Sequence, residues 1–374
     1  MTTTTDVPGE ALAPMDRAAR LARLRDRLDG DGIPALLVTN LTNIRYLTGF
    51  TGSAGLLFVL PERTVLVTDG RYATQAAEQL GGLDVATEIG LSVPERTRLG
   101  SSLVTDARVR ALALEAAHVT WAAQRDYATA WFPGVELLPT AGIVEDQRRV
   151  KDPGELERMA AAAAAADAAL AAVLPLLDDG PTEVDFAIAL DAAMRHHGAD
   201  APGFETIVAS GPNAAKPHHR PSHRVIGRGE PVVLDFGASV DGYRSDMTRT
   251  VAVGELADAV LRRAWDVVAE SQAAGVAAVA AGVAAADVDR VCREVIAAAG
   301  WADRFVHGTG HGVGLDVHEA PSVAATSTDT LQSGHVVTVE PGVYLPGRGG
   351  VRIEDTVVVT DDGCAPLTLT PKDH

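Results

Sequence analysis

A glycine-rich segment near the C-terminal end of the chain carries three histidines that could bind a metal ion or a substrate. It reads HGTGHGVGLDVHE, and its histidines are His307, His311 and His318. The intervening glycines leave room for close approach by a ligand or a neighbouring strand. The segment lacks the GxxxxGK[ST] order, which disfavours a phosphate-binding loop. The alternative without a function is a buried turn whose histidines satisfy each other.

Acidic residues inside apolar strands are the second feature with chemical potential. Asp235 lies within VVLDFGA, and Asp246 follows a predicted turn near Asp241-Gly242. An unpaired charge in an apolar strand costs several kcal/mol. We expect the two carboxylates to lie about equally far from the turn and to face each other, with Cβ atoms ~5 Å apart. Such a pair repels unless it shares a proton or a cation.

A second predicted hairpin repeats this arrangement. Glu340 ends the run VVTVE, a loop passes through Gly347 to Gly350, and Glu354 lies on the returning run VRIED. The two glutamates are nearly equidistant from the turn, which suggests an internal pseudo-repeat. Any one of these acids alone would be interpreted as a surface salt bridge or a strand-end cap. Four acids together with His311 favour a metal site.

Four carboxylates and one imidazole form an oxygen-rich donor set that suits a pair of divalent ions. Two ions about 3.5–4 Å apart can hold a bridging hydroxide and polarise a carbonyl group. Hard oxygen donors favour manganese, with cobalt or zinc as alternatives, over a metal that prefers thiolates. The chemistry predicted from these residues is therefore hydrolysis.

Composition narrows the class of protein. The net charge of −18 disfavours nucleic acid or an anionic membrane surface as a partner. Two cysteines, Cys292 and Cys364, form neither a disulfide framework nor a CxxC metal site. Met1 to Arg20 contains no apolar run typical of a signal peptide. The alanine-rich run from Ala160 to Val173 is interrupted by Asp167, so no membrane span is expected. These features predict a cytoplasmic enzyme.

Strand and helix patterns divide the chain into two predicted domains. The runs Leu56–Leu60 and Thr64–Thr68 form a predicted hairpin, and strands then alternate with helices up to about Val144. Residues 10–147 are therefore expected to form an α/β domain. The charged segment from Arg148 to Glu155 contains a Pro-Gly step and is the predicted linker.

The second predicted domain, residues 148–374, combines helices with antiparallel hairpins, which is an α+β pattern. Asp152 is expected to cap a helix that ends near Leu177. Thr182 is expected to cap a second helix that ends near His196. Two further helices are predicted between the two acidic hairpins.

These motifs together resemble the aminopeptidase P, prolidase and methionine aminopeptidase family. The matching sequence motifs are LDFGA, SDMTRT, HGTGHGVGLDVHE, VEPG and RIED. NIRYLTGFTGSAG and TDGRY, near the N-terminus, resemble the non-catalytic domain of the proline-specific branch. The resemblance implies an α+β protein whose C-terminal pita-bread domain follows a smaller α/β creatinase-type domain.

The resemblance also implies which residues hold two divalent ions. They are Asp235, Asp246, His311, Glu340 and Glu354. Asp235 would chelate one ion and His311 the other, while Asp246 and Glu354 would bridge the pair. Glu340 would bind a metal and also act as general base on the bridging hydroxide.

Five more residues are implied to act on the substrate or to support those that do. They are His218, His307, His318, Arg352 and Tyr344. All but Tyr344 are expected to be catalytic, whereas Tyr344 and the three histidines are expected to bind substrate. His318 would stabilise charge developing at the scissile carbonyl. His219 and His223, close to His218, are expected to be solvated or to play a supporting role.

The function implied is hydrolysis of the Xaa-Pro bond at the N-terminus of small proline-containing peptides, with aminopeptidase and dipeptidase both open. A bond before proline has no N–H, which attack by a metal hydroxide does not need. A methionine aminopeptidase is disfavoured by the extra domain. A creatinase-like hydrolase and an inactive pita-bread binding protein are disfavoured by the complete ligand set. The resemblance also implies a homodimer.

Overall fold

The computed structural model describes residues 12–372, which form two compact units. One unit is Asp16–Arg148, and the other contains the described residues from Arg149 onward together with residues 12–15. Residues 10 and 11 of the predicted first domain, and 373 and 374 of the second, lie outside the described residues.

The N-terminal unit contains one six-stranded sheet flanked by helices of 5 to 14 residues. Its strands are β1 Leu36–Val38, β2 Gly55–Val59, β3 Thr64–Thr68, β4 Val85–Ile89, β5 Ala111–Glu115 and β6 Glu136–Thr140. Their order is β4-β3-β2-β1-β5-β6. Its helices are α1 Arg17–Gly30, α2 Leu41–Thr48, α3 Ala73–Gln79, α4 Val93–Asp106, α5 Trp121–Asp126 and α6 Glu145–Arg149. The pair β2–β3 is antiparallel and confirms the predicted hairpin.

A buried carboxylate organises the connection between β1 and α2. Glu115, at the end of β5, accepts hydrogen bonds from the backbone amides of Thr39 at 2.6 Å and Asn40 at 2.8 Å. The side-chain amide of Asn43 donates to the same carboxylate at 2.8 Å. A buried carboxylate with several donors is satisfied without a counter-ion, so this part of the N-terminal unit is held by hydrogen bonds.

The C-terminal unit contains four long helices and four small sheets. The helices are α7 Pro153–Val173, α8 Glu183–His196, α9 Ala259–Ala278 and α10 Ala285–Ala298. The first strands are β7 Ala201–Pro202, β8 Ile207–Ser210, β9 Pro231–Phe236, β10 Ala238–Val240, β11 Tyr243–Arg244 and β12 Met247–Ala252. The later ones are β13 Gly310–Gly312, β14 Glu319–Val323, β15 Val336–Val339, β16 Gly342–Leu345, β17 Gly349–Arg352, β18 Asp355–Val359 and β19 Cys364–Pro366. The sheets are β11-β10-β7, β12-β9-β8, β14-β13-β15-β18-β19 and β16-β17.

Local sequence signals explain where α7 and α8 begin. Asp152 and Glu155 form a reciprocal capping box at the start of α7, as predicted. The side chain of Thr182 accepts a hydrogen bond from the backbone amide of Asp185 and caps α8, also as predicted. These caps satisfy backbone donors that would otherwise lack partners.

Helix α7 and the turn after it, Pro153–Asp179, form the one stretch among the described residues long and apolar enough to cross a membrane. Nearly half of its most apolar window is buried within the unit. Ala166 and Leu170 on this helix belong to the same core cluster as Val232 and Leu234 on β9. The packing of α7 is therefore that of a core helix.

The two halves of the C-terminal unit repeat one arrangement. In the first half, α7 and α8 share a core cluster with strands β8, β9 and β12. In the second, α9 and α10 share another with β15, β17 and β18. Each half thus packs a helix pair against antiparallel strands, which agrees with the predicted pseudo-repeat.

Candidate metal centre

The first acidic hairpin places its two carboxylates on one face but not directly opposite each other. In the pairing of β9 with β12, the partner of Asp235 is Thr248, two residues beyond Asp246. The predicted direct pairing of Asp235 with Asp246 is therefore wrong. The register is the same from this pairing through to the turn at Asp241-Gly242, so Asp246 lies opposite Gly237, where an added Cβ atom would lie 1.9 Å from the carbonyl oxygen of Ser245. Because side chains alternate between faces, Asp235 and Asp246 remain diagonal neighbours.

The second acidic hairpin has the predicted register. Val339 pairs with Asp355 on one side of a break in the ladder, and Gly342 pairs with Arg352 on the other. Both pairs belong to the same register, so Glu340 and Glu354 occupy matching positions within the break. Both glutamates therefore lie where regular strand pairing is interrupted, and their side chains reach the centre of the site there.

The glycines of the histidine segment allow β13 to pass close to neighbouring backbone. A Cβ atom on Gly310 would lie 2.0 Å from the carbonyl oxygen of Thr338. A Cβ atom on Gly312 would lie 2.3 Å from the carbonyl oxygen of Ala320. His311 lies between these glycines, where a larger neighbour on either side would displace it. The predicted close approach of another strand is confirmed.

The five predicted metal ligands line one cavity of about 530 Å³. Ligand atoms of Asp246, His311 and Glu354 lie within 4.8 Å of one another. The Nε2 atom of His311 is 3.7 Å from Oδ2 of Asp246 and 3.4 Å from Oε1 of Glu340. Asp235 lines the same cavity. Donors that are far apart in the sequence thus meet in one place.

A buried arginine neutralises part of this negative charge. Arg352 donates to Oδ2 of Asp235 at 2.5 Å, and its Nε atom is 4.0 Å from Oε2 of Glu340. The same guanidinium donates to the hydroxyl of Tyr344 at 2.9 Å and to the carbonyl oxygen of Pro217 at 3.1 Å. One guanidinium does not balance four carboxylates, so the cavity favours additional cations.

The pKa shifts of the carboxylates also indicate that the cavity favours additional cations. Burial, reinforced by the charge of Glu354, raises the pKa of Asp246 well above its usual value. Burial and the charge of Glu340 likewise raise the pKa of Glu354. Burial opposes ionisation of Glu340 too, but the hydrogen bond and charge of His311 outweigh it and hold that pKa at about 2. Divalent ions would replace the protons retained here, so the donor set fits them.

Two of the predicted substrate-site histidines are positioned by neighbouring groups. The Nε2 atom of His307 is 2.8 Å from the Tyr344 hydroxyl, and Nδ1 is 2.8 Å from the carbonyl oxygen of Gly308. The ring of His318 lies 4.3 Å from that of His311, centroid to centroid. Burial lowers the pKa of His307, and burial and then the charge of His311 lower that of His318. Both imidazoles are therefore neutral at neutral pH.

The third predicted substrate-site histidine lies on the segment between β8 and β9. His218 is exposed and lines the cavity. Its neighbour His219 places Nε2 2.9 Å from a carboxylate oxygen of the buried Glu183, whereas His223 is exposed. His219 and His223 were expected to be either solvated or supporting. His219 therefore has the supporting role, and His223 is solvated.

Sequence reasoning did not identify Glu183 as part of this region. An acid in the first turn of a helix ordinarily indicates only a favourable interaction with the helix dipole. Apolar residues of the cavity wall, Phe204, Ile207 and Val317, were also not identified. No local pattern distinguishes these from other apolar residues, because the wall is assembled from distant segments.

Comparisons with known proteins agree with this geometry. The description "Metallopeptidase family M24" matches residues 157–361, and "Creatinase/Prolidase N-terminal domain" matches residues 20–150. An uncharacterized peptidase of Bacillus subtilis is 40% identical, covering 95% of this chain and 99% of the relative. The solved Xaa-Pro dipeptidase from Bacillus anthracis is 37% identical with a TM-score of 0.90, covering 96% of this chain and 99% of that one.

A solved X-Pro aminopeptidase from Thermotoga maritima is 34% identical, with a TM-score of 0.86 and coverage of 94% of this chain and 98% of that one. Both solved structures thus match this chain across both of its units. The predicted architecture, a creatinase-type domain followed by a pita-bread catalytic domain, is confirmed. The chain belongs to metallopeptidase family M24, with a creatinase/prolidase N-terminal domain preceding the catalytic domain.

Proposed function

We propose that this protein is a two-metal peptidase that cleaves the Xaa-Pro bond at the N-terminus of short peptides. The observation that carries the proposal is the convergence of four carboxylates and His311 in a cavity that also contains His218, His307 and His318. The similar solved structures named as an Xaa-Pro dipeptidase and an X-Pro aminopeptidase support this substrate class. A preference for dipeptides and a preference for longer peptides both agree with these two names.

Two divalent ions would be held by the five predicted ligands: Asp235, Asp246, His311, Glu340 and Glu354. When bound, such ions lower the pKa of a water molecule and polarise a carbonyl oxygen. Oxygen-rich donors favour manganese over metals that prefer sulfur. The carboxylate of Glu340, which stays ionised beside His311, would accept the proton that the attacking water releases.

The histidines would act on the peptide itself. Neutral His318 has one ring N–H, which would donate to the scissile carbonyl and stabilise its developing charge. The one N–H of neutral His307 donates to the carbonyl oxygen of Gly308, so His307 would line the substrate site and contact the peptide with its ring. Tyr344 supports His307 through their hydrogen bond. The bond before proline lacks an N–H donor, so recognition would rest on the carbonyl and the proline ring.

A direct assay tests this proposal. The purified protein is incubated with Ala-Pro, Ala-Pro-Ala and Ala-Ala, after chelation and then with added manganese or cobalt. We expect metal-dependent cleavage of one or both proline peptides, little cleavage of Ala-Ala, and near-complete loss of turnover in Glu340→Gln. Full activity after exhaustive chelation, or equal cleavage of Ala-Ala, would exclude the proposed function. The ratio of rates on the first two peptides decides between dipeptidase and aminopeptidase.

Assembly and location belong to the same proposal. We expect a homodimer and a cytoplasmic location, both carried over from the resemblance and the composition. Light scattering should give twice the chain mass of 38.9 kDa. A mass equal to a single chain at working concentration would exclude the dimer.

A further inference from the structure

One buried carboxylate that is not among the predicted metal ligands accepts hydrogen bonds from several residues of a single chain segment. Glu183 is 0% exposed and lies at the start of α8. One of its oxygens accepts from the amide and the hydroxyl of Ser210, both at 2.7 Å. The other accepts from the amide of Ser222 at 3.0 Å and from its hydroxyl at 2.6 Å. Asn213 donates to both oxygens, at 3.1 and 3.2 Å, and Nε2 of His219 lies 2.9 Å from the second.

The segment held in this way is the one that carries His218. Between β8 and β9 the segment contains one short 3₁₀ helix, Gly211–Ala215. Its far end is tied to the start of α8 by backbone hydrogen bonds, among them one from the amide of Val184 to the carbonyl oxygen of Ser222, but this pairing does not extend back to His218. The four residues bound to Glu183 lie on both sides of His218. A further tie comes from Arg352, which donates to the carbonyl oxygen of Pro217. Hydrogen bonds to an ionised acceptor are stronger than neutral ones, so this cluster is a strong restraint on the segment.

The chemistry of the carboxylate matches this task. Burial disfavours its charge, but hydrogen bonds from Ser222, Ser210 and Asn213 outweigh burial and bring the pKa of Glu183 to about 2. An ionised carboxylate has two oxygens that only accept. A glutamine of the same shape would turn an NH₂ group toward the donors of either Ser210 or Ser222, and those hydrogen bonds would be lost.

We infer that Glu183 is a positioning residue that keeps the segment 210–222 in place, so that His218 faces the cavity. Glu183 does not line the cavity and acts through His218. The kinetic part of this inference rests on the proposed peptidase function. The structural part, the ordering of the segment by one carboxylate, is independent of it.

A double-mutant cycle tests the kinetic part. Glu183→Gln, His218→Ala and the double variant are assayed at saturating metal on whichever of Ala-Pro and Ala-Pro-Ala the wild type cleaves faster. Because small displacements of a catalytic group are costly, we expect Glu183→Gln alone to lower kcat on the order of 10–100-fold. In the His218→Ala background it should lower kcat by less than about 3-fold, since residues that act through each other are not additive. Additive losses would assign Glu183 a merely structural role and overturn the inference.

Hydrogen exchange tests the structural part without any activity. The amides of Ser210 and Ser222 donate directly to Glu183, so Glu183→Gln should speed exchange in 210–222 while α9 and α10 keep their protection. Unchanged exchange there would overturn the inference. If Glu183→Gln does not fold, Ser222→Ala can replace it. This variant removes one hydroxyl and its hydrogen bond, and it should speed exchange in 210–222 to a smaller extent.

Glu115→Gln is the matched control, because Glu115 is also a buried carboxylate that binds several donors but belongs to the N-terminal unit. It should speed exchange near Thr39 and leave kcat unchanged. An equal loss of kcat in Glu115→Gln would overturn the inference. If the wild type cleaves neither Ala-Pro nor Ala-Pro-Ala, the proposed function fails and hydrogen exchange still decides the role of Glu183. If the wild type cleaves one of them, His218→Ala is impaired and Glu183→Gln is not, only this inference fails.

Discussion

At the residue scale, we expect a substitution of His218 to impair catalysis without weakening metal binding. Its side chain is exposed at the cavity and is not among the predicted ligands. His218→Ala should therefore lower kcat by roughly 10²–10⁴-fold, the usual contribution of a group that transfers protons or positions the substrate. Metal content, measured by elemental analysis, should not change.

The neighbouring histidine provides the control for this prediction. His219 contributes one of several hydrogen bonds to Glu183, so His219→Ala should reduce kcat much less. A crippling effect of His219→Ala combined with a mild effect of His218→Ala would show that the catalytic role was assigned to the wrong histidine.

Glu183 should also make stability depend on pH. Folding lowers its pKa from 4.5 to about 2, so the unfolded chain binds this proton more readily than the folded chain. At about 1.4 kcal/mol per pKa unit, the ionised group stabilises the folded state by about 3 kcal/mol at neutral pH. This contribution is complete above pH 4.5 and declines as the pH falls toward 2.

Urea unfolding of the metal-free wild type and of Glu183→Gln measures this contribution. The difference in the free energy of unfolding should be largest near pH 7 and smaller at pH 3.5. A difference that stays constant over this range would contradict the pKa direction on which the prediction rests.

At the scale of elements, β13 depends on the absence of a side chain at position 310. In Gly310→Ala the new Cβ atom would lie 2.0 Å from the carbonyl oxygen of Thr338, so β13 must move away from β15. Overpacking of this kind costs about 1–3 kcal/mol, and the shift would carry His311 with it. We expect a lower melting temperature and weaker metal binding by calorimetry.

Gly363→Ala is the matched substitution. Among the residues that the structure describes, no atom lies within 4 Å of a Cβ atom added at Gly363, so this variant should keep both its melting temperature and its metal affinity. If Gly310→Ala binds metal as tightly as Gly363→Ala does, the packing of β13 does not determine the position of His311.

At the scale of the whole molecule, metal should stabilise the C-terminal unit because the predicted ligands come from both of its halves. Asp235 and Asp246 belong to the first acidic hairpin, while His311, Glu340 and Glu354 follow α9 and α10. A ligand at 100 times its Kd adds about 2.7 kcal/mol to the folded state. Chelation should therefore lower the melting temperature, and manganese should restore it.

Differential scanning calorimetry of the chelated and reloaded protein checks this prediction, with Glu340→Gln as comparison. The shift produced by manganese should be smaller in the variant, which lacks one predicted ligand. An equal shift in both proteins would place the stabilising metal elsewhere.

Features that depend on neighbouring residues could be predicted from the sequence. The capping box at Asp152 and Glu155 and the cap at Thr182 were predicted because a side chain two or three positions away satisfies the helix amides. The β2–β3 hairpin and the matching positions of Glu340 and Glu354 follow from strand patterns around short turns. Four of the five candidate ligands were visible as acids in apolar strands, and the fifth, His311, as part of a glycine-rich segment.

Features that depend on distant contacts were decided by the tertiary structure. The mispredicted pairing of Asp235 with Asp246 is not such a feature, because the register is continuous from the turn at Asp241-Gly242 and Asp246 lies two residues nearer to that turn than Asp235 does. Glu183 has the local signal of a surface acid, yet its donors lie 27 to 39 residues along the chain. Burial, and with it the charge and role of such a group, is set by packing between segments, because local sequence does not encode which distant donors will arrive.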